Sequence, residues 1–170
     1  GVIINTNIYW SKPFAITSSK FLKFDNYARK GINLFKKFGF KIIIITNQPD
    51  IASKKSNLYE LNKIHKRIYE FLRVDEISIC FHSKYMNCRC RKPKPKLVLD
   101  AIKKYNIDLN QSFLIGDRKS DIDLGVKLNI KSLFINYGYI EAKPKGQIVS
   151  IKSFEKAVNY IMSNTHLYEK

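Results

Sequence analysis

Apolar positions along the chain alternate between two rhythms. Four short β-branched or aromatic runs, "KIIIIT" (Lys41–Thr46), "ISICF" (Ile77–Phe81), "SFLIG" (Ser112–Gly116) and "SLFIN" (Ser132–Asn136), read as strands, and "VII" (Val2–Ile4) is a fragmentary fifth. The first of these has no polar alternation, which predicts a central strand covered on both faces. Between the runs, apolar residues repeat at helical spacing. Phe24, Ala28, Ile32, Phe35 and Phe38 form one stripe, with Gly39 placed as its C-terminal cap. Leu58, Leu61, Ile64, Ile68 and Leu72 form the next, and Leu97, Ala101 and Tyr105 a third behind Pro95. A short helix is expected over Asp121–Asn129, and a last one over about 153–164, capped by Ser153.

Strands alternating with helices predict an α/β fold: a Rossmann-like parallel sheet with helices on both faces and functional loops at the strands' carboxyl ends. Residues 1–170 are expected to form a single domain. Ser11–Lys20 and Asn136–Gln147 are the most loop-like stretches. His65 falls within a helical stripe and His166 in a C-terminal tail, so neither is expected to be catalytic.

Composition narrows the class. Hydrophobic content of 45% suits a globular chain, and no window reaches 18 consecutive apolar residues. The expectation is a soluble protein with no membrane partner, in the cytoplasm, or in an organelle matrix if a transit peptide has been removed. Net charge is +17, from 31 Lys+Arg against 14 Asp+Glu. Such a field favours phosphorylated ligands or nucleic acid. It also fits compositional drift in a lysine-rich chain, because the basic residues are spread over helices and loops.

All three cysteines lie within "CFHSKYMNCRCRKPKP" (Cys80–Pro95). Cys80-x-His82 and Cys88-x-Cys90 present three thiols and an imidazole, with a five-residue spacer for chain reversal. This Cys₃His set suits a closed, structural Zn²⁺ site that folds a loop over residues 80–92. The alternative is a group of buried thiols near a surface histidine. Arg91 and Lys92 follow at once, stiffened by Pro93 and Pro95. Two cations on a pinned loop suit phosphate oxygens, the guanidinium as a fork and the ammonium as a point charge.

Two strand ends carry further chemistry. "TNQ" (Thr46-Asn47-Gln48) offers a hydroxyl and turn N–H groups to an anion, a weak signal alone. "LIGDRKSD" (Leu114–Asp121) sets Asp117 at a strand's carboxyl end with Asp121 on the following turn. A carboxylate there is either a hard ligand for Mg²⁺ or a helix cap.

In this order, "IIIITNQ", "CRKPKP" and "LIGDRKSD" resemble three motifs of the haloacid dehalogenase-like (HAD) phosphatases. The Cys-x-His…Cys-x-Cys insertion is similar to the zinc loop of D-glycero-D-manno-heptose 1,7-bisphosphate phosphatases and the related histidinol-phosphate phosphatases. The resemblance spans roughly residues 21–136, with nothing of cap-domain size between the motifs. It implies that Thr46 and Lys92 hold a transferring phosphoryl group and that Asp117 ligates Mg²⁺. Asn47, Gln48 and Arg91 would shape the pocket for a small phosphomonoester such as a sugar bisphosphate. Arg118 stands where these enzymes often carry lysine.

The same family works through Asp-x-Asp at the end of its first strand, and this chain has no acidic residue before Asp25. Two readings compete. In one, Gly1–Ile4 matches the residues that normally follow the aspartate pair. In the other, "VIINTN" is the first strand itself, and Asn5 and Asn7 occupy the aspartate positions, a reading slightly favoured because it supplies a central strand. An amide cannot form an acyl phosphate. The second reading therefore describes a catalytically inactive HAD-like binding or scaffold module, with RNA among its partners.

Overall fold

The structure, a computed structural model, describes residues 1–53 and 56–165; His166 lies outside them. Helices follow the apolar stripes. Helix α1 (Ala28–Lys37) buries Ala28, Gly31, Ile32 and Phe35. α2 (Pro49–Ala52) is a single turn, and α3 (Leu58–Leu72) buries Leu61, Ile64, His65, Ile68 and Leu72. Asn57 caps α3 by accepting from the Glu60 N–H at 2.8 Å. α4 (Lys96–Tyr105) starts directly after Pro95, α5 spans Lys119–Lys127, and α6 spans Phe154–Asn164 behind its Ser153 cap.

Phe24 departs from the expected stripe. The Asp25 side chain accepts from the Tyr27 N–H at 2.9 Å, a local turn that starts the helix late. Phe24 instead forms an antiparallel bridge with Ile4 and stacks on Phe71 at 4.2 Å. At the other end Gly39 has φ of +80°, the left-handed conformation expected of it.

Strands β3 (Ile43–Asn47) and β4 (Glu76–Cys80) pair in parallel. So do β5 (Phe113–Gly116), β6 (Lys131–Ile135) and β7 (Val149–Ile151). β7 has three residues, too short to show a rhythm in the sequence. A hairpin of β1 (Asn7–Tyr9) and β2 (Lys12–Phe14) was equally hidden. Its turn residues Trp10 and Ser11 adopt φ of 54° and 56° without the Gly or Asn that usually marks such a turn.

The expectation that β3 is a central strand is corrected. Its residues are half-buried, and among the described residues β3 pairs only with β4 and β5 only with β6. Between those edges lies a cavity of about 530 Å³, lined among others by Ile43, Ile45, Leu114, Ile115, Phe35 and Phe154. Val2–Ile4 does not form the parallel strand that would fill it; those residues pack on the core at its rim. Stability rests on fully buried side chains such as Leu72, Ile122, Leu133, Phe154 and Ile161. Each contributes about 1.5–3 kcal/mol by leaving water. Among the described residues no helix is long and apolar enough to cross a membrane.

Candidate functional site

Strand register builds the first half of the site. Asn47 at the end of β3 stands beside Cys80 at the end of β4, and the Gln48 N–H donates to the Cys80 carbonyl at 2.7 Å. The loop leaving Cys80 then doubles back. His82 Nδ1 comes within 3.2 Å of Cys90 Sγ and 3.6 Å of Cys80 Sγ, while Cys80 Sγ lies 3.7 Å from Cys88 Sγ and 3.2 Å from Cys90 Sγ. All four ligand atoms fall within 4.8 Å of one another. A tetrahedral zinc with Zn–S bonds of about 2.3 Å needs ligand separations of roughly 3.8 Å, so the donor set fits this ion. Burial, with Cys90 alongside, raises the Cys80 thiol. At Cys88, burial is outweighed by the Arg91 and Cys90 backbone N–H groups, which pull its thiol down.

This loop delivers Lys92 to the sheet. Asn47 and Lys92 exchange two hydrogen bonds: the Lys92 N–H donates to Asn47 Oδ1 at 3.0 Å, and Asn47 Nδ2 donates to the Lys92 carbonyl at 3.3 Å. Lys92 Nζ donates to the Ile45 carbonyl at 2.6 Å and lies 2.8 Å from Asp121 Oδ1. Asp121 Oδ1 is buried and, apart from this ion pair, has no hydrogen-bond partner. Asn47 therefore acts on the backbone of Lys92, a role its position in the motif did not disclose.

The second half comes from β5. Asp117 and Asp121 are both about 94% buried, at 6% exposure. Gly116 makes this possible, since a Cβ there would fall 2.2 Å from the Asp121 Cβ. Gly1 is held against Asp117 in the same way, with a Cβ at that position falling 2.0 Å from Asp117 Oδ2. Thr46, Gln48, Lys92, Asp117 and Asp121 all line the cavity between β3 and β5. Two buried carboxylates form a hard-oxygen set suited to Mg²⁺. Asp121 is engaged by Lys92 at 2.8 Å, and Asp117 Oδ2 lies 3.7 Å from the Gly1 amino group.

Other expected residues point elsewhere. Arg91 donates to the His82 carbonyl at 3.1 Å and so braces the cysteine loop. Arg118 Nε donates to Glu141 Oε2 at 2.8 Å. The Asn5 N–H donates to the Lys23 carbonyl at 2.8 Å, and Asn7 lies on the exposed hairpin, so neither stands on the parallel sheet. Three residues at the site went unassigned in the sequence: Glu141, Tyr137 and Tyr139. Burial pushes the Tyr137 phenol up to about 12, aided by Asp117 and Asp25. Burial and then the Asp117 carboxylate raise Tyr139 further.

Comparison with known proteins agrees with this layout. Residues 89–150 match the HAD-hydrolase-like family model. The chain is 38% identical over 103 residues to a D-glycero-beta-D-manno-heptose-1,7-bisphosphate 7-phosphatase of Helicobacter pylori, covering 57% of this chain and 60% of that protein. It is 33% identical over 135 residues to the histidine biosynthesis bifunctional protein HisB of Campylobacter jejuni, covering 76% of this chain and 38% of that one. The chain thus spans less than two thirds of the length of these relatives. Among solved structures, a D,D-heptose 1,7-bisphosphate phosphatase from B. bronchiseptica, complexed with magnesium and phosphate, superposes with a TM-score of 0.82. It is 20% identical, and the match covers 96% of this chain and 94% of that one.

Proposed function

From the premise that the chain has the HAD-like α/β fold and resembles the heptose-bisphosphate and HisB phosphatases, we propose that it forms the phosphate-handling body of a phosphomonoesterase for a small phosphorylated sugar. The observation that carries this reading is that Thr46, Lys92, Asp117 and Asp121 line one cavity, with Thr46 and Asp117 at the carboxyl ends of β3 and β5 and Lys92 paired to Asp121. In this reading Lys92 and the Thr46 hydroxyl hold the phosphoryl oxygens, and Asn47 fixes Lys92. Gln48 lines the same cavity as Thr46 and contacts the sugar. Arg91 contributes indirectly, by bracing the loop that Zn²⁺ would pin through Cys80, His82, Cys88 and Cys90. Asp117 would hold Mg²⁺, which when bound neutralises developing charge on the phosphoryl oxygens.

The nucleophile belongs, in this reading, to a carboxylate on the strand that the β3–β5 cavity accommodates. A parallel strand there would pair with both free edges and end beside Gly1 and Asp117. The location of Asn5 and Asn7 off the sheet favours this over an amide substitution at the aspartate positions.

The test is a fusion placing a short β-branched strand ending in Asp-x-Asp directly before Gly1. Mg²⁺-dependent phosphate release from sugar bisphosphates should appear with the fusion and vanish when the first Asp becomes Asn. Equal activity in both would sink the reading.

A further inference from the structure

The loop after β6 touches three separate parts of the molecule through three consecutive residues. Tyr139 is 6% exposed, and its hydroxyl lies beside Gly1 and the Asp117 carboxylate. The Ile140 N–H donates to the Ser11 carbonyl at 2.9 Å, and so fastens the tip of the β1–β2 hairpin. Glu141 takes the start of α5: Oε2 accepts from Arg118 Nε at 2.8 Å and Oε1 from the Lys119 N–H at 3.1 Å.

Each contact answers a local need. The residue before α5 is Arg118, which has no side chain able to cap a helix. Asp121 Oδ2 accepts from the Arg118 N–H at 3.1 Å, and Glu141 adds an acceptor for the next N–H, that of Lys119, from a distant loop; its negative charge suits a helix N-terminus. The hairpin is exposed and apolar, with Trp10 90% and Tyr9 59% accessible. Outside its own ladder, it is fastened at Ser11 by a backbone bond that does not depend on the Ile140 side chain. Glu141, together with Asp121, therefore fixes the Asp117–Arg118 corner, and the adjacent peptide fixes the hairpin.

We propose that Glu141 is a positioning residue through which the Asp117 loop and the Trp10 hairpin are coupled, so that an anion or metal bound at Asp117 is felt at the hairpin tip. The proposal rests on the reading of Asp117 as part of a phosphate and Mg²⁺ site. Trp10 is the only tryptophan in the chain, so its fluorescence reports the hairpin alone.

The experiment measures Trp10 anisotropy in the full chain, without ligand and during titration with Mg²⁺ and inorganic phosphate, alongside calorimetry. In the wild type, ligand should raise anisotropy. Glu141→Ala should lower the ligand-free value, abolish the response and weaken phosphate binding roughly tenfold, the scale of one charge-assisted hydrogen bond. Glu141→Gln keeps an acceptor for the Lys119 N–H and loses the ion pair to Arg118. It should lie between the two, and it decides the matter if the alanine variant does not fold. Ligand-free anisotropy and response equal to wild type in the variants overturn the coupling. If the wild type binds neither Mg²⁺ nor phosphate, the functional reading fails instead, and the ligand-free anisotropy still decides whether Glu141 fixes the hairpin.

Discussion

Lys92 Nζ lies 2.8 Å from Asp121 Oδ1, joining the loop after β4 to the first turn of α5. The two side chains are 15% and 8% exposed, so neither charge has water to fall back on. Lys92→Met or Asp121→Asn alone should therefore cost about 3 kcal/mol or more, because each strands its partner. The double variant should recover much of that loss. Denaturant unfolding of the four proteins gives the coupling directly, and additive single effects would show that the pair carries no mutual dependence.

Metal content should decide the cysteine loop. Ligands must deprotonate to bind, and Cys88 is the thiol whose backbone donors most favour the thiolate. The purified chain should hold about one zinc. Cys88→Ser should release it and lower the midpoint of thermal unfolding. Because Lys92 follows two residues after Cys90, phosphate affinity should fall in parallel. Zinc retained at full stoichiometry by this variant would show that Cys88 is not a ligand.

Acid stability has a nameable contributor. Glu60 accepts from the Ser19 N–H at 2.7 Å and the Ser19 hydroxyl at 3.0 Å. These bonds lower its carboxyl from 4.5 to about 2. A folded value below the unfolded one means stability is fully present above pH 4.5 and is lost as pH falls toward 2. Glu60→Gln should flatten the stability profile in that window and leave it unchanged in slope near neutrality. Parallel profiles for the two proteins between pH 4.5 and 2 would remove Glu60 as a source.

Much of this was legible in the sequence because the physics is local. The α3 stripe and its bounds follow from helical spacing alone, and the cysteine cluster follows from ligand chemistry at short range. The β3–β5 cavity was not legible, since an unbroken apolar run looks the same whether one edge is paired or two. Nor was the hairpin, whose turn uses Trp10 and Ser11 in conformations their types do not advertise. Glu141 was hidden for another reason. It acts 23 residues from Arg118, at a distance only the packing of the loop onto α5 can set.

Gly125 offers a case where two known effects oppose each other. Replacing an interior helical glycine with alanine ordinarily stabilises by about 1 kcal/mol. Here a Cβ would fall 1.9 Å from Ser132 Oγ, on a residue 1% exposed whose hydroxyl already donates to the Ile130 carbonyl at 2.8 Å. That hydroxyl has nowhere to retreat, and overpacking of this kind costs about 1–3 kcal/mol. Steric cost should exceed propensity, so Gly125→Ala should lower stability. Adding Ser132→Ala removes the clashing oxygen and should restore part of it. A stabilised Gly125→Ala, measured by equilibrium unfolding, would mean that α5 can shift away from β6 at little cost.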